Sequence, residues 1–186
     1  MNETTAELAA LQGLLDASAG SRKRHLTDII EPGRQLSAEQ LSADLRGVLV
    51  LNVATVTAHG EPRLSAVDGH FIHGHWYFST ASSAVKAVHL AARPAVSVGY
   101  TPRDGYGVWA HGVAVALAGT EYERLDAYLS AIYGQPLSSM ADGIEIFRVD
   151  AHWMIGFAMG TDEQAEFDAT LPARDERIAD ALVTLG

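Results

Sequence analysis

A chain of 186 residues, 48% of them hydrophobic and 19% charged, is long enough for one domain with a substantial core and too apolar to be disordered. Its formal net charge of −10 argues against general nucleic-acid binding, which depends on Lys and Arg neutralising phosphates. The lack of cysteine excludes disulfides and thiolate metal sites, and no apolar run reaches about eighteen residues, so no transmembrane helix is expected.

The first residues, Met1 to Thr5, are acidic and carry no signal-peptide pattern, which leads to the expectation of a cytoplasmic protein. Residues 3–18 place Leu8, Leu11 and Leu15 at helical spacing before Ala19-Gly20. A basic patch follows, Arg22, Lys23, Arg24 and Arg34 against Asp28 and Glu31. Ser37-Ala-Glu-Gln40 has the form of a capping box ahead of a short helix through Leu41 and Leu45. Residues 1–46 therefore read as a helical lead-in.

The middle of the chain is β-rich. Runs at 47–58, 61–72 and 75–80 are separated by His59-Gly60 and His73-Gly74, the spacing of a meander of hairpins. A short helix is expected over 83–91, then strands at 95–100 and 106–118 flanking a loop at 101–105. Thr120-Glu-Tyr-Glu123 reads as a second capping box, opening a helix with Leu125, Tyr128, Leu129 and Ile132 on one face. Strands at 144–149 and 153–159 complete the set, and 173–185 is expected to be an amphipathic helix. Six or seven antiparallel strands with flanking helices predict a mainly β fold, a small closed or partly closed barrel, over residues 47–160. Residues 161–186 form an acidic tail: seven acids against Arg174 and Arg177 account for half the net charge.

One stretch carries chemistry. The strand from Tyr77 ends in Ser79, Thr80, Ser82 and Ser83, and Lys86 then falls in the first turn of the expected helix. A cation is disfavoured at a helix N-terminus, which already bears partial positive charge. An anion bound at the free amides reverses that penalty, and the hydroxyls complete its coordination, so the segment reads as a phosphate cradle. The competing reading is ordinary N-capping with a solvated lysine. Lys86 is one of only two lysines; the other eleven basic residues are Arg.

The ordered set Gly60-Glu-Pro-Arg63, Gly74-His-Trp-Tyr-Phe-Ser-Thr80, the hydroxyl-rich turn, Lys86 and His89-Leu-Ala-Ala-Arg-Pro-Ala-Val-Ser-Val98 resembles the pyridoxamine-phosphate-oxidase-like split barrels, over residues 45–118. That resemblance implies a six- to seven-stranded Greek-key split β-barrel, a homodimer with FMN or the related deazaflavin coenzyme in each of two interface clefts. It places Arg63 and Ser65 on a strand facing the flavin, and Ser79, Thr80, Ser83 and Lys86 at its phosphate. It also places Trp109 and His111, on one face of a strand by alternation, where a partner subunit contributes contacts. Plain core or interface packing is an equally open role for Trp109. The chain departs from the true oxidases at Asp68, where they carry lysine, and at Ala84 and Val85, where relatives carry a cation or hydroxyl. No Arg motif for a pyridoxal substrate is visible around Phe147–Phe157.

The resemblance implies a flavin-dependent oxidoreductase acting on a small organic substrate, with FMN as cofactor. The alternatives are a deazaflavin-dependent reductase and a non-catalytic flavin or haem carrier of the same fold, His111 or His152 being the haem ligand. No catalytic residue is named, because a flavin supplies the chemistry while the protein orients it. His70, His73 and His75 invite a metal reading, but His73-Gly74 looks like a hairpin tip and no carboxylates complete a site; no metal is expected.

Overall fold

The computed structural model describes residues 3–20 and 30–185. Arg22, Lys23 and Arg24 of the basic patch lie outside the described residues. Helix α1 (Thr5–Gly20) is followed, after a 3-10 turn at Pro32–Arg34, by α2 (Ala38–Asp44). Six strands follow: β1 (Leu49–Val56), β2 (Pro62–Ile72), β3 (His75–Ala81), β4 (Ala95–Arg103), β5 (Tyr106–Ala116) and β6 (Ile144–Ala158). Helix α3 (Val85–Ala92) joins β3 to β4, α4 (Gly119–Tyr133) joins β5 to β6, and α5 (Thr161–Leu185) ends the chain.

The strands close into an antiparallel barrel in the order β1-β2-β3-β6-β5-β4, with β1 pairing β4 through Asn52–Ala54 and Ser97–Gly99. Alternation sets the two faces. Leu49, Leu51, Val53 and Thr55 of β1 are buried inside, while Val50, Asn52 and Ala54 point outward. Val96 and Val98 of β4, Val108 and Ala110 of β5 and Trp76 and Phe78 of β3 fill the same interior. Phe78 stacks on Phe147 with centroids 5.3 Å apart. Each such fully buried side chain contributes about 1.5–3 kcal/mol. Leu11 and Leu15 of α1 join this core, and Ser18 Oγ accepts the Met154 amide at 2.9 Å. A smaller cluster, Tyr77, Leu117, Leu129, Leu137 and Ile146, lies outside the barrel under α4.

Four expectations are corrected. The strands expected at 144–149 and 153–159 are one continuous β6. Asp150-Ala-His152 is not a break, because a bulge opposite His111 and Gly112 absorbs the extra residue. Residues 101–103 are strand rather than loop, with an irregularity between Tyr100 and Arg103. Ser37 and Gln40 do form a capping box, but Thr120 does not cap α4: Ala118 is the N-cap, with no side-chain bond, and Thr120 sits inside the first turn. Along the apolar face of α4, Leu129 is buried while Tyr128 and Ile132 are exposed. Finally, the last helix begins at Thr161, not 173, and runs through Pro172.

Candidate functional site

The barrel parts along one seam. Strand β2 pairs with β1 over its first eight residues, Pro62–Gly69, but with β3 only from Gly69 to Ile72. The last ladder pair is Gly69–Phe78; beyond it Ser79, Thr80 and Ala81 keep only their pairing with β6 on the other edge. Arg63, Ser65 and Val67 are thus left on one lip of the split, and Ser79 and Thr80 on the other.

Helix α3 starts at the second lip. Ala84 occupies its N-cap with no side-chain hydrogen bond, and no acid lies in its first turn. Ala84 N and Ala87 N donate to Ala81 O and Ala84 O at 2.9 Å, so the Val85 and Lys86 amides are the ones left without a partner among the described residues, and the helix end lacks a counter-charge. Lys86 is half-buried and has no ion-pair partner among the described residues; Ser79, Thr80 and Ser83 are likewise without a side-chain bond. The turn is fixed by Ser82 N donating to Gly143 O at 2.9 Å. Gly143 sits at φ +68°, where any side chain is strained, and a Cβ there would also displace Ser82 Oγ, 2.6 Å away, so the turn favours glycine. At its far end α3 is anchored to β1. His89 Nδ1 and Thr55 Oγ1 are 3.0 Å apart and buried, and Arg93 Nε donates to Val56 O at 3.0 Å.

The remaining residues singled out in the sequence lie apart. Arg63 is exposed and paired with Glu61 at 2.8 Å. Trp109 and His111 share the outer face of β5, as alternation requires. Trp109 lies flat over Gly99 and Gly107, neither of which has room for a Cβ without pressing on the indole. His111 Nδ1 is 2.8 Å from Ser97 Oγ, and its ring stacks on Trp153 at 4.7 Å between centroids. Burial, then the neighbouring His152, hold the His111 pKa below its usual value. A shallow cavity of about 310 Å³ opens beside His111, lined by Thr55, Val56 and Pro62 on one side and Ser97 and His152 on the other; neither Arg63 nor Trp109 lines it. Within one chain, then, the hydroxyls and Lys86 form one group and Trp109 and His111 another.

Three polar groupings went unread in the sequence. His89–Thr55 is one. The second joins Asp68, Tyr133 and His70: Tyr133 donates to Asp68 Oδ2 at 3.0 Å and lies 3.4 Å from His70 Nε2. His70 is only 1% exposed, its Nδ1 has no partner, and burial pushes its pKa down more than Asp68 raises it. In the third, Arg148 binds Asp150 at 2.5 Å and Glu121 at 2.6 Å, and its guanidinium holds the Asp150 carboxyl below the ordinary carboxylate range. Arg148 and Asp150, two apart on one strand, were the available signal. The other pairings span more than one element and leave no local pattern.

No family model matches the chain, and no curated protein matches it by sequence. Solved structures do. A conserved hypothetical protein of Mycobacterium tuberculosis is similar at a TM-score of 0.59 and 20% identity, over 69% of this chain and 89% of that one. A candidate pyridoxamine 5'-phosphate oxidase of Listeria innocua gives 0.54 and 16%, over 63% and 95%. An FAD-binding protein of Mesorhizobium loti gives 0.53 and 20%, over 66% and 93%. The protein has the split-barrel fold of the pyridoxamine-phosphate-oxidase-like proteins. At these identities the likeness fixes the fold and nothing finer. Among the described residues no helix is long and apolar enough to cross a membrane.

Proposed function

We propose that this protein is a flavin-dependent oxidoreductase of a small organic substrate, and that it holds FMN by its phosphate at Ser79, Thr80, Ser83 and Lys86. The observation that carries the reading is the uncapped start of α3 with an unpaired lysine in its first turn. Such an arrangement is unfavourable until an anion neutralises it. The residues present fit a phosphate: Ser79, Thr80 and Ser83 offer hydroxyl donors, and Lys86 supplies the counter-charge. The flavin-type ligands of structural neighbours, an FAD-binding protein among them, support the choice of anion. When bound, a flavin supplies hydride and electron transfer itself. The chain's part is to anchor the phosphate, and to present Arg63 and Ser65 from the other lip of the split.

The second group, Trp109 and His111, completes the site in this reading by coming from a second copy. The outer face that bears them continues into exposed apolar residues, Val50 at 66% and Leu64 at 69%, which a homodimer would cover. Titrating the purified protein with FMN, in parallel with sedimentation, tests both parts. Saturable binding by a dimer is expected. Binding of the deazaflavin coenzyme alone would replace FMN, a Soret band would favour a haem carrier, and no binding by a monomer would overturn the proposal.

A further inference from the structure

A cavity of about 670 Å³ lies away from the split, between α4 and the β2–β3 hairpin. Its size is that of small-molecule sites. Ile72, Leu125 and Tyr128 give it apolar and aromatic walls. Its charges are mostly committed: Arg148 to Glu121 and Asp150, and Glu7 to His73 at 3.1 Å. Arg124 is the exception, a lining cation with no ion-pair partner among the described residues. Thr120, one helical turn before it on α4, lines the cavity beside it. A smaller cavity of about 190 Å³ shares the Ile72 and Tyr128 walls. It is lined by Ser42, which is 4% exposed and whose Oγ lacks any hydrogen-bond partner. Buried hydroxyls are normally bonded; this one is sealed behind the cavity wall, and a ligand hydroxyl that displaces the wall supplies the missing bond.

We infer that the two cavities form one binding site for a hydroxy-aromatic monocarboxylate. The planar guanidinium of Arg124 takes the carboxylate in a two-pronged bond, assisted by Thr120. The ring lies against Ile72, Leu125 and Tyr128, and the hydroxyl meets Ser42. Glu7 and Glu121 nearby disfavour a doubly charged phosphate and fit a singly charged acid. The site shares no residue with the α3 cradle and stands whether or not the protein binds flavin.

Calorimetric titration of the full chain with 4-hydroxyphenylacetate tests this, with 4-hydroxyphenylacetamide and phenylacetate as controls. The acid is expected to bind with a dissociation constant below about 1 mM, and the amide at least about tenfold more weakly. Arg124→Gln, an exposed helix position, should abolish that difference. Ser42→Ala should remove the advantage of the hydroxylated acid over phenylacetate while leaving phenylacetate binding unchanged. Absence of binding, equal affinity for acid and amide, or an Arg124→Gln protein that still prefers the acid would each overturn the inference.

Discussion

His89 Nδ1 and Thr55 Oγ1 meet at 3.0 Å in a buried seam between α3 and β1, and this pair decides where the helix carrying Lys86 can sit. Thr55→Val keeps the shape and removes the hydroxyl, leaving the imidazole nitrogen unpartnered. The expected cost is about 1–3 kcal/mol, read as a lowered urea midpoint with unchanged slope. FMN binding should weaken in the same variant. A stability equal to wild type would show that the seam is held by packing alone.

Lys86→Ala separates the anion site from a capped helix by sign. Without ligand, removing a cation from the α3 N-terminus should raise stability by about 0.3–1 kcal/mol. Affinity for FMN should fall by about 10–100-fold, the loss of a charge-assisted bond. Thermal melts with and without FMN check both. A variant that loses stability in the absence of ligand would mean Lys86 serves the fold rather than a ligand.

Burial of His70 makes stability depend on pH in one direction. Its pKa is depressed below the reference of 6.5, so the unfolded chain takes up protons first as pH falls. Above about pH 7 the ring is neutral in both states and costs nothing; below about pH 6.5 stability should decline. The nearby Asp68 carboxylate reduces this loss without reversing it. His70→Phe should flatten the profile between about pH 5 and 7, followed by denaturant midpoints across that range. An unchanged slope would place the titrating group elsewhere.

Gly107 lies under the indole of Trp109, where an added Cβ would overlap the ring. Gly107→Ala should lift Trp109 off the sheet, at about 1–3 kcal/mol. On the proposed reading it should also weaken self-association, because Trp109 belongs to the face between copies. Gly99→Ala, with 3.2 Å to the same ring, should do less. Intrinsic fluorescence and sedimentation of the two variants give the comparison.

Much of the barrel was legible because its signal is local. Leu49, Leu51 and Val53 alternate with Val50, Asn52 and Ala54, and His73-Gly74 marks a hairpin by composition alone. Where the reading failed, a distant partner decided. Asp150-Ala-His152 separates two strand-like runs until β5 supplies the bulge that keeps β6 continuous. Ala118 starts α4 because Gly119, at φ +58°, turns the chain one step before the apparent cap at Thr120. The cradle hydroxyls and Lys86 form one sequence run and could be named; His89–Thr55 and His70–Tyr133 join residues of different elements and could not.

Strand β6 pairs on both edges, with β3 through Ile144–Val149 and with β5 along nearly its whole length. It is also the last strand to leave the ribosome. Until it arrives, a nascent chain carries the facing edges of β3 and β5 unpaired, together with half of an interior that nothing yet seals. Closure then comes as a single late event, and it is the interval before it, rather than the finished barrel, in which this sequence most needs protection from its neighbours.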